Sequence, residues 1–248
     1  MTKVAVSGAS GRMGRRTAAA VAAAADLELV SLFDPSHGGE TIEGIVVSSD
    51  PVVVGEAEVV VELTNPDVVM ENLKQWRSLG VNAVVGTSGF DAGRLKAAEG
   101  IWGEGPPNCL IVPNFSLGAV LMMRFAEVAA AHFTGVEIIE LHHEDKPDAP
   151  SGTALATAAR LTSAIFESKE LVPGARGAAV GDVRVHSVRL PGMVAHQQVI
   201  LGNEGETLTI RHDTSDYASF MPGVLLAIRS IPDLEAFGVG LEGLLFKD

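Results

Sequence analysis

Strand-like and helix-like segments alternate along the chain as far as residue 132. Short apolar runs predict five strands, at Lys3–Ser7, Leu27–Phe33, Glu58–Leu63, Val81–Gly86 and Asn108–Val112. Helical patterns fill the intervals, at Arg15–Ala25, Pro66–Leu79 and Asp91–Gly100, and a further helix is predicted between Ser116 and about His132. This alternation favours a doubly wound parallel sheet with helices on both faces, in which ligands bind beyond the carboxyl ends of the strands.

The pattern changes after residue 132. A strand predicted at Val136–Leu141 is followed by a polar loop and by a predicted helix over Ser151–Phe166. Three alternating runs separated by turn signals come next, at Asp182–Leu190, Val194–Leu201 and Glu206–Arg211. A closing helix is predicted over Tyr217–Ile231. This half of the chain therefore indicates a second, α+β domain built on a mixed or antiparallel sheet.

Composition narrows the class of protein. The chain has 248 residues, of which 47% are hydrophobic, so it can bury one large core or two modest ones. A net charge of −13 argues against a nucleic-acid partner, and no apolar run approaches the roughly 20 residues that cross a membrane. The amino terminus leads directly into a strand without signal-peptide features, and the single cysteine, Cys109, forms no internal disulfide. We therefore expect a cytoplasmic protein.

A glycine-rich turn, Gly8-Ala9-Ser10-Gly11-Arg12-Met13-Gly14, lies between the first predicted strand and helix. In this context it predicts a Rossmann-like dinucleotide site, because the glycines allow a pyrophosphate to approach backbone N–H groups. Asp34 ends the second strand and can accept hydrogen bonds from ribose hydroxyls, while repelling a 2′-phosphate. The cofactor is thus NADH or NADPH. Asp34 favours NADH, but Arg12 and His37 leave the use of both cofactors open. The structural alternative for the glycine-rich segment is a plain glycine turn, and that for Asp34 is a helix or turn cap.

The loop after the strand Val136–Leu141 combines two histidines, a lysine and a Ser-Gly-Thr turn. His142 or His143 can transfer a proton near neutral pH, and Lys146 can bind a carboxylate or donate a proton. Ser151, Gly152 and Thr153 lie at the start of the next predicted helix. Free N–H groups and the positive end of the helix dipole favour an anion there. The combination predicts an enzyme that acts on a small carboxylated substrate.

Other reactive side chains have simpler interpretations. The acids and histidines near residue 142 lack zinc-like spacing, and Lys146 would repel a cation, so we predict no metal site. Cys109 lies in an apolar run and is predicted to be a core thiol rather than a nucleophile. For His186, His196 and His212, structural or surface roles are favoured.

Several segments resemble the dihydrodipicolinate reductase family, whose nicotinamide-dependent members serve the diaminopimelate and lysine pathway. Residues 142–154 are similar to the family signature HHxxKxDAPSGTA. Residues 6–14 resemble its amino-terminal fingerprint, and residues 113–118 resemble its NFS loop. Residues 85–90 are similar to a VxGTTGF loop in which Ser88 replaces a threonine, and residues 63–66 to an FTxP loop in which Leu63 replaces a phenylalanine.

This resemblance implies roles for individual residues. His142 would be the general acid and Lys146 its partner. Substrate carboxylates would be bound by His143, Ser151, Gly152 and Thr153. Gly86, Thr87 and Gly89 would place the nicotinamide, with Asn114 and Phe115 beside it, and Thr64 would also bind the cofactor. The reaction implied is reduction of a cyclic imine dicarboxylate, formed from aspartate semialdehyde and pyruvate, to tetrahydrodipicolinate.

The resemblance also implies the domain organisation. A dinucleotide-binding domain would comprise residues 1–114 plus 215–248, and a substrate-binding and oligomerisation domain residues 115–214, assembling as a homotetramer through the second sheet. Two alternatives remain at this point. One is another two-domain dehydrogenase, of the homoserine or semialdehyde type. The other is a non-enzymatic redox sensor that binds NAD(H).

Overall fold

A computed structural model describes residues 1–166 and 168–246. Its strands in chain order are β1 (Thr2–Ser7), β2 (Leu27–Phe33), β3 (Thr41–Ile42), β4 (Ile45–Val46), β5 (Val59–Glu62), β6 (Asn82–Val85), β7 (Cys109–Ile111), β8 (Gly135–His142), β9 (Ala178–Val180), β10 (Val183–Arg189), β11 (Ala195–Asn203), β12 (Glu206–Thr214) and β13 (Phe237–Val239). Its α-helices are α1 (Arg12–Ala23), α2 (Val69–Ser78), α3 (Ala92–Trp102), α4 (Leu117–Ala130), α5 (Gly152–Ala158), α6 (Met221–Ser230) and α7 (Glu242–Leu245). Short 3-10 helices cover Pro51–Glu56, Tyr217–Phe220 and Ile231–Asp233.

The chain forms two compact units, Met1–Ser116 with Phe220–Asp248, and Leu117–Ser219. The first contains a six-stranded sheet in the order β13-β7-β6-β5-β1-β2, in which every pair is parallel. Its central strands are almost wholly buried, as expected for a parallel sheet with both faces covered. The strand order reverses at β1, which pairs with β2 on one side and β5 on the other, and ligands of such sheets bind at this switch point.

Aromatic and branched side chains fill the first unit's core. Trp76 and Trp102 are fully buried, and the Trp76 ring meets Phe33 edge to face at a centroid distance of 5.9 Å. Burying a large aromatic side chain contributes about 2–3 kcal/mol. This core lies under β5 and β6, so the loops that follow these strands rest on a firmly packed base.

The second unit contains a five-stranded sheet in the order β12-β11-β8-β10-β9. Strand β10 runs parallel to β8 and the remaining pairs are antiparallel, so the sheet is mixed. Alternate residues of the central strand β8 are buried, including Val136, Ile138 and Glu140. The predicted fold class, a Rossmann-like parallel sheet followed by an α+β unit on a mixed sheet, is confirmed.

Two predicted helix boundaries were wrong for physical reasons. Helix α1 begins at Arg12 rather than Arg15, because Gly11 is extended and its carbonyl accepts the Arg15 N–H at 3.0 Å, so the last part of the glycine-rich turn is already helical. Helix α5 ends at Ala158 instead of reaching Phe166. Beyond it, Ser163 Oγ accepts the Val136 N–H at 2.8 Å and the Ala164 N–H donates to Thr134, so the chain bonds to the start of β8 instead.

Candidate active site

The glycine-rich turn follows β1 and is shaped by close backbone approaches. Gly8 has φ +77°, and a Cβ there would lie 2.7 Å from the Leu63 carbonyl oxygen. A Cβ on Gly14 would lie only 2.1 Å from the Gly8 carbonyl oxygen. Neither position therefore accepts a side chain without backbone movement. Arg12 is exposed and Met13 half-buried in the first helical turn, whose N–H groups favour an anion.

Two carboxylates contact Ser10 in this turn. Asp34 accepts the Ser10 N–H at 3.3 Å, the Ser36 N–H at 3.1 Å and a hydrogen bond with His37 Nδ1 at 3.0 Å. Burial alone would raise the pKa of Asp34, but these hydrogen bonds outweigh it and lower that pKa, so the side chain stays ionised at neutral pH. Glu40, which the sequence reasoning missed, accepts from Ser10 Oγ at 2.7 Å and pairs with Arg15. Nothing in the sequence marks Glu40 apart from other surface acids.

Three loops follow the neighbouring parallel strands β5, β6 and β7 and therefore lie at the same edge of the sheet as the glycine-rich turn. At the end of β5, the fully buried Glu62 accepts from the N–H and the hydroxyl of Thr64 and from Trp76 Nε1. Asn72 Nδ2 donates to the same carboxylate at 3.2 Å. Thr64 is thus held in one orientation by a buried acid.

The loops after β6 and β7 contact each other through Gly86. A Cβ on Gly86 would lie 2.3 Å from the Phe115 ring and 2.8 Å from the Leu63 side chain. Gly89 has φ +87° and lies beside Thr87, which is buried. Asn114 Oδ1 accepts the Ser116 N–H at 2.8 Å, which closes the turn before α4.

An arginine that the sequence reasoning missed joins two of these loops. Arg94 Nη1 donates to the Gly89 carbonyl at 3.1 Å, and Nη2 donates to the Pro66 carbonyl at 2.5 Å. Its guanidinium also lies 5.5 Å from the centroid of the Phe90 ring. The predicted cofactor residues that follow the strands of the first unit therefore gather at one edge of its sheet.

The predicted proton donor lies at the end of β8 in the second unit. His142 Nδ1 is 2.5 Å from Glu140 Oε2. Glu140 is fully buried and forms a bidentate ion pair with Arg189 on the adjacent strand β10. The structure thus adds Glu140 and Arg189 to the site. The sequence pattern gave no sign of the pairing, since Arg189 lies 49 residues beyond Glu140.

The loop after β8 carries the remaining predicted substrate residues. Lys146, whose side chain is 21% exposed, donates to Asp148 Oδ1 at 2.6 Å. The His143 carbonyl accepts the Lys146 N–H at 3.2 Å and closes a turn. Ser151 is buried at the start of α5, where its hydroxyl accepts the Ala154 N–H at 3.2 Å.

Gly152 and Thr153 form the first turn of α5. A Cβ added to Gly152 would meet no atom within 4 Å, so this backbone faces open space. The Thr153 carbonyl accepts from Thr157 Oγ1 at 2.7 Å, and Gln197 Nε2 donates to that same hydroxyl at 2.7 Å. Gln197 is a buried residue of β11, and it thereby supports the first turn of α5 through Thr157.

Other reactive groups occupy structural positions. Cys109 is fully buried in the first core, and burial raises the pKa of its thiol, which makes it a poor nucleophile. His186 pairs with Glu137 at 2.8 Å and His196 with Asp213 at 2.7 Å. Burial lowers the pKa of His212.

Within residues 1–166 and 168–246, no group of three or more His, Cys, Asp or Glu side chains is arranged to hold a metal. In the same part of the chain, no helix has the length and apolarity to cross a membrane.

Known proteins match nearly the whole chain. The family model for the dihydrodipicolinate reductase N-terminus matches residues 2–115, and that for the C-terminus matches residues 118–245. A 4-hydroxy-tetrahydrodipicolinate reductase of Cutibacterium acnes is 48% identical, over 99% of each chain. One of Nocardia farcinica is 50% identical, over 98% of each chain.

Solved structures agree with these matches. A dipicolinate-bound dihydrodipicolinate reductase from Paenisporosarcina sp. TG-14 superposes with a TM-score of 0.84 at 36% identity, covering 98% of this chain and 99% of that one. A myo-inositol dehydrogenase from Corynebacterium glutamicum, at 17% identity and a TM-score of 0.62, shares the fold alone. The resemblance drawn from the motifs is confirmed, and the chain belongs to the dihydrodipicolinate reductase family.

Proposed function

We propose that this protein is a 4-hydroxy-tetrahydrodipicolinate reductase of the diaminopimelate route to lysine. It would transfer a hydride from NADH or NADPH to 4-hydroxy-tetrahydrodipicolinate, or to dihydrodipicolinate, and release tetrahydrodipicolinate. The observation that carries the proposal is His142, an imidazole at the end of β8 held by a buried carboxylate and followed by a loop with a lysine and an open helix start. The full-length relatives named for this activity support the same assignment.

The chemistry assigns complementary tasks to the second unit's residues. Hydride addition places negative charge on the substrate ring, and one proton must follow. His142 supplies that proton. A positioned proton donor typically raises the reaction rate by about 10²- to 10⁴-fold. Lys146, His143 and the N–H groups of Ser151–Thr153 bind the two substrate carboxylates and fix the ring's orientation. The dipicolinate bound to the solved relative is a dicarboxylate of this kind.

The first unit fits a pyridine dinucleotide. Gly8 and Gly14 allow the turn to pack tightly against neighbouring backbone, with which a Cβ at either position would collide. Such a tight turn at a helix start presents backbone N–H groups that would bind a pyrophosphate. A bound nicotinamide supplies the hydride, and Thr64, Gly86, Thr87, Gly89, Asn114 and Phe115 are the residues that would hold it.

Two anionic side chains beside the glycine-rich turn favour NADH over NADPH. Asp34 and Glu40 both contact Ser10, and the pKa of each lies below its ordinary value. Since a 2′-phosphate would meet both negative charges, we propose NADH as the preferred cofactor. Arg15 offers little compensation, because it is already paired with Glu40.

Assembly and location are proposed from the resemblance to the family. We propose a cytoplasmic homotetramer that assembles through the sheet of the second unit. Light scattering coupled to gel filtration tests the assembly, and a native mass near that of a single chain would contradict it.

The test of the reaction is a coupled assay. The substrate is generated from pyruvate and aspartate semialdehyde by the upstream synthase, and oxidation of NADH or NADPH is followed by absorbance. We expect oxidation that requires the synthase and that falls by about 10²-fold or more in His142→Gln, with NADH binding unchanged. Oxidation of NADH or NADPH with aspartate semialdehyde alone would indicate a homoserine enzyme, which reduces the aldehyde to an alcohol. Reduction of NAD+ or NADP+ by the semialdehyde in the presence of phosphate would indicate a semialdehyde enzyme. NADH binding without any turnover would favour a sensor.

A further inference from the structure

A buried ion pair lies beneath His142. Glu140 has no exposed side-chain surface, and Arg189 donates to both of its oxygens, from Nη2 at 2.9 Å and from Nη1 at 3.1 Å. Burying two charges costs several kcal/mol for each ion before their attraction is counted, and apolar replacements are often as stable. A pair of this kind is therefore weak evidence for stability and raises the question of what else it does.

The contact with His142 limits the states of the imidazole. Burial would raise the pKa of Glu140, but hydrogen bonds from His142, Arg189 and Ser187 outweigh it and lower that pKa to about 2. The ionised carboxylate can only accept hydrogen bonds, so the hydrogen between Glu140 and His142 must sit on Nδ1. Nε2 is then left as the ring atom that exchanges a proton with a ligand.

Arg189 also reaches the loop that carries the lysine. Its Nη2 donates to the Asp148 carbonyl at 2.6 Å, and the Asp148 side chain accepts from Lys146 Nζ at 2.6 Å. One guanidinium thus holds the carboxylate behind His142 and the backbone beside Lys146. Arg189 Nη1 additionally donates to the Val188 carbonyl at 2.8 Å, which fixes the guanidinium plane.

We infer that Glu140 and Arg189 are positioning residues for proton transfer. Glu140 sets the tautomer and ring orientation of His142, and Arg189 locks Glu140 while tying the Lys146 loop to β10. The inference rests on the proposed role of His142 as the proton donor. The competing explanation is an ion pair that serves only the stability of the fold.

Strand β8, which carries Glu140, also provides an internal control. Near its other end, Glu137 pairs with His186 and with Arg176, so the same three residue types meet again. Those side chains are about one third exposed, and none of them has a proposed role in substrate or cofactor binding. Glu137→Gln therefore makes the same chemical change on the same strand without touching the proposed proton path.

The kinetic test compares Glu140→Gln with Glu137→Gln in the synthase-coupled assay. Because glutamine can donate to Nδ1 and cannot balance the charge of Arg189, we expect kcat to fall by roughly 10²- to 10⁴-fold in Glu140→Gln. KM and the Kd for NADH should stay within about threefold, and Glu137→Gln should match the unmodified protein. A kcat within about threefold of normal in Glu140→Gln would overturn the inference.

A double variant separates positioning from folding. Glu140→Gln can leave Arg189 as a buried, unbalanced charge and so destabilise the protein, whereas Glu140→Gln with Arg189→Met removes both charges. We expect the double variant to regain stability in urea while kcat stays low. Recovery of kcat together with stability would show a purely structural pair and refute the inference.

A tautomer measurement keeps the inference testable apart from the activity. Long-range proton–nitrogen NMR correlations distinguish Nδ1–H from Nε2–H imidazoles, and His142 is assigned by its absence in His142→Gln. We expect the Nδ1–H form in the unmodified protein and its loss in Glu140→Gln. If the synthase-coupled assay gives no turnover, the proposed function fails. The spectrum still shows whether Glu140 sets the tautomer of His142. An unchanged His142 signal in Glu140→Gln would overturn the inference.

Discussion

Gly152 allows the proposed carboxylate site to be tested with a single methyl group. A Cβ at this position meets no protein atom within 4 Å, so Gly152→Ala introduces no clash in the free protein. Alanine is also more favourable than glycine within a helix by up to about 1 kcal/mol, so the free energy of unfolding should be unchanged or slightly higher. If a substrate carboxylate lies against this backbone, the methyl group displaces it. Losing one hydrogen bond to a charged group costs about 1.5–3 kcal/mol, which is about 10- to 150-fold in affinity.

The assay is calorimetric titration of dipicolinate in the presence of NADH. Gly100→Ala is the matched control, because it makes the same change in α3, where an added Cβ also meets no atom. We expect Gly152→Ala to weaken dipicolinate binding by about 10- to 150-fold and Gly100→Ala to leave it unchanged. Equal affinity in the two variants would refute the placement of a carboxylate at the start of α5.

Two further predictions concern charge. Asp34→Asn removes a negative charge that a 2′-phosphate would meet, so the ratio of kcat/KM for NADPH to that for NADH should rise roughly tenfold; an unchanged ratio would contradict the proposed NADH preference. Glu140 has an ordinary pKa of 4.5 and a folded pKa of about 2, so above the ordinary value its ionised form stabilises the fold by about 3 kcal/mol relative to its protonated form. That contribution is lost as pH falls from the higher value through the lower one. Urea titrations near pH 7 and near pH 3 should therefore show a smaller acid loss in Glu140→Gln with Arg189→Met; an equal loss would assign acid sensitivity to other carboxylates.

Local patterns predicted much of the fold. The order strand, glycine-rich turn and helix is encoded within residues 3–25, and the parallel sheet follows from the same alternation repeated along the chain. The predicted helix over residues 151–166 failed because its second half bonds to the start of β8, a long-range competition that local propensity does not contain.

In the second unit, the candidate site was predictable only where its residues are close in sequence. His142 and Lys146 share one loop, and the motif brings Ser151–Thr153 into the same segment. Glu40 and Arg189 reach their partners through loop closure and strand register, across 30 and 49 residues respectively. Pairing of β8 with β10 places Arg189 opposite His142, and no spacing rule in the sequence predicts that register.

Leu63, Gly86 and Phe115 share one volume at the edge of the first sheet. The Phe115 ring and the Leu63 side chain both occupy space that a Cβ on Gly86 would need. Substitutions at these three positions are consequently not independent: a larger residue at one is accommodated only by a smaller residue at another. Redesign of this surface, where we propose that the nicotinamide binds, must exchange volume among the three residues together. Changing one of them alone would report on steric conflict rather than on cofactor recognition.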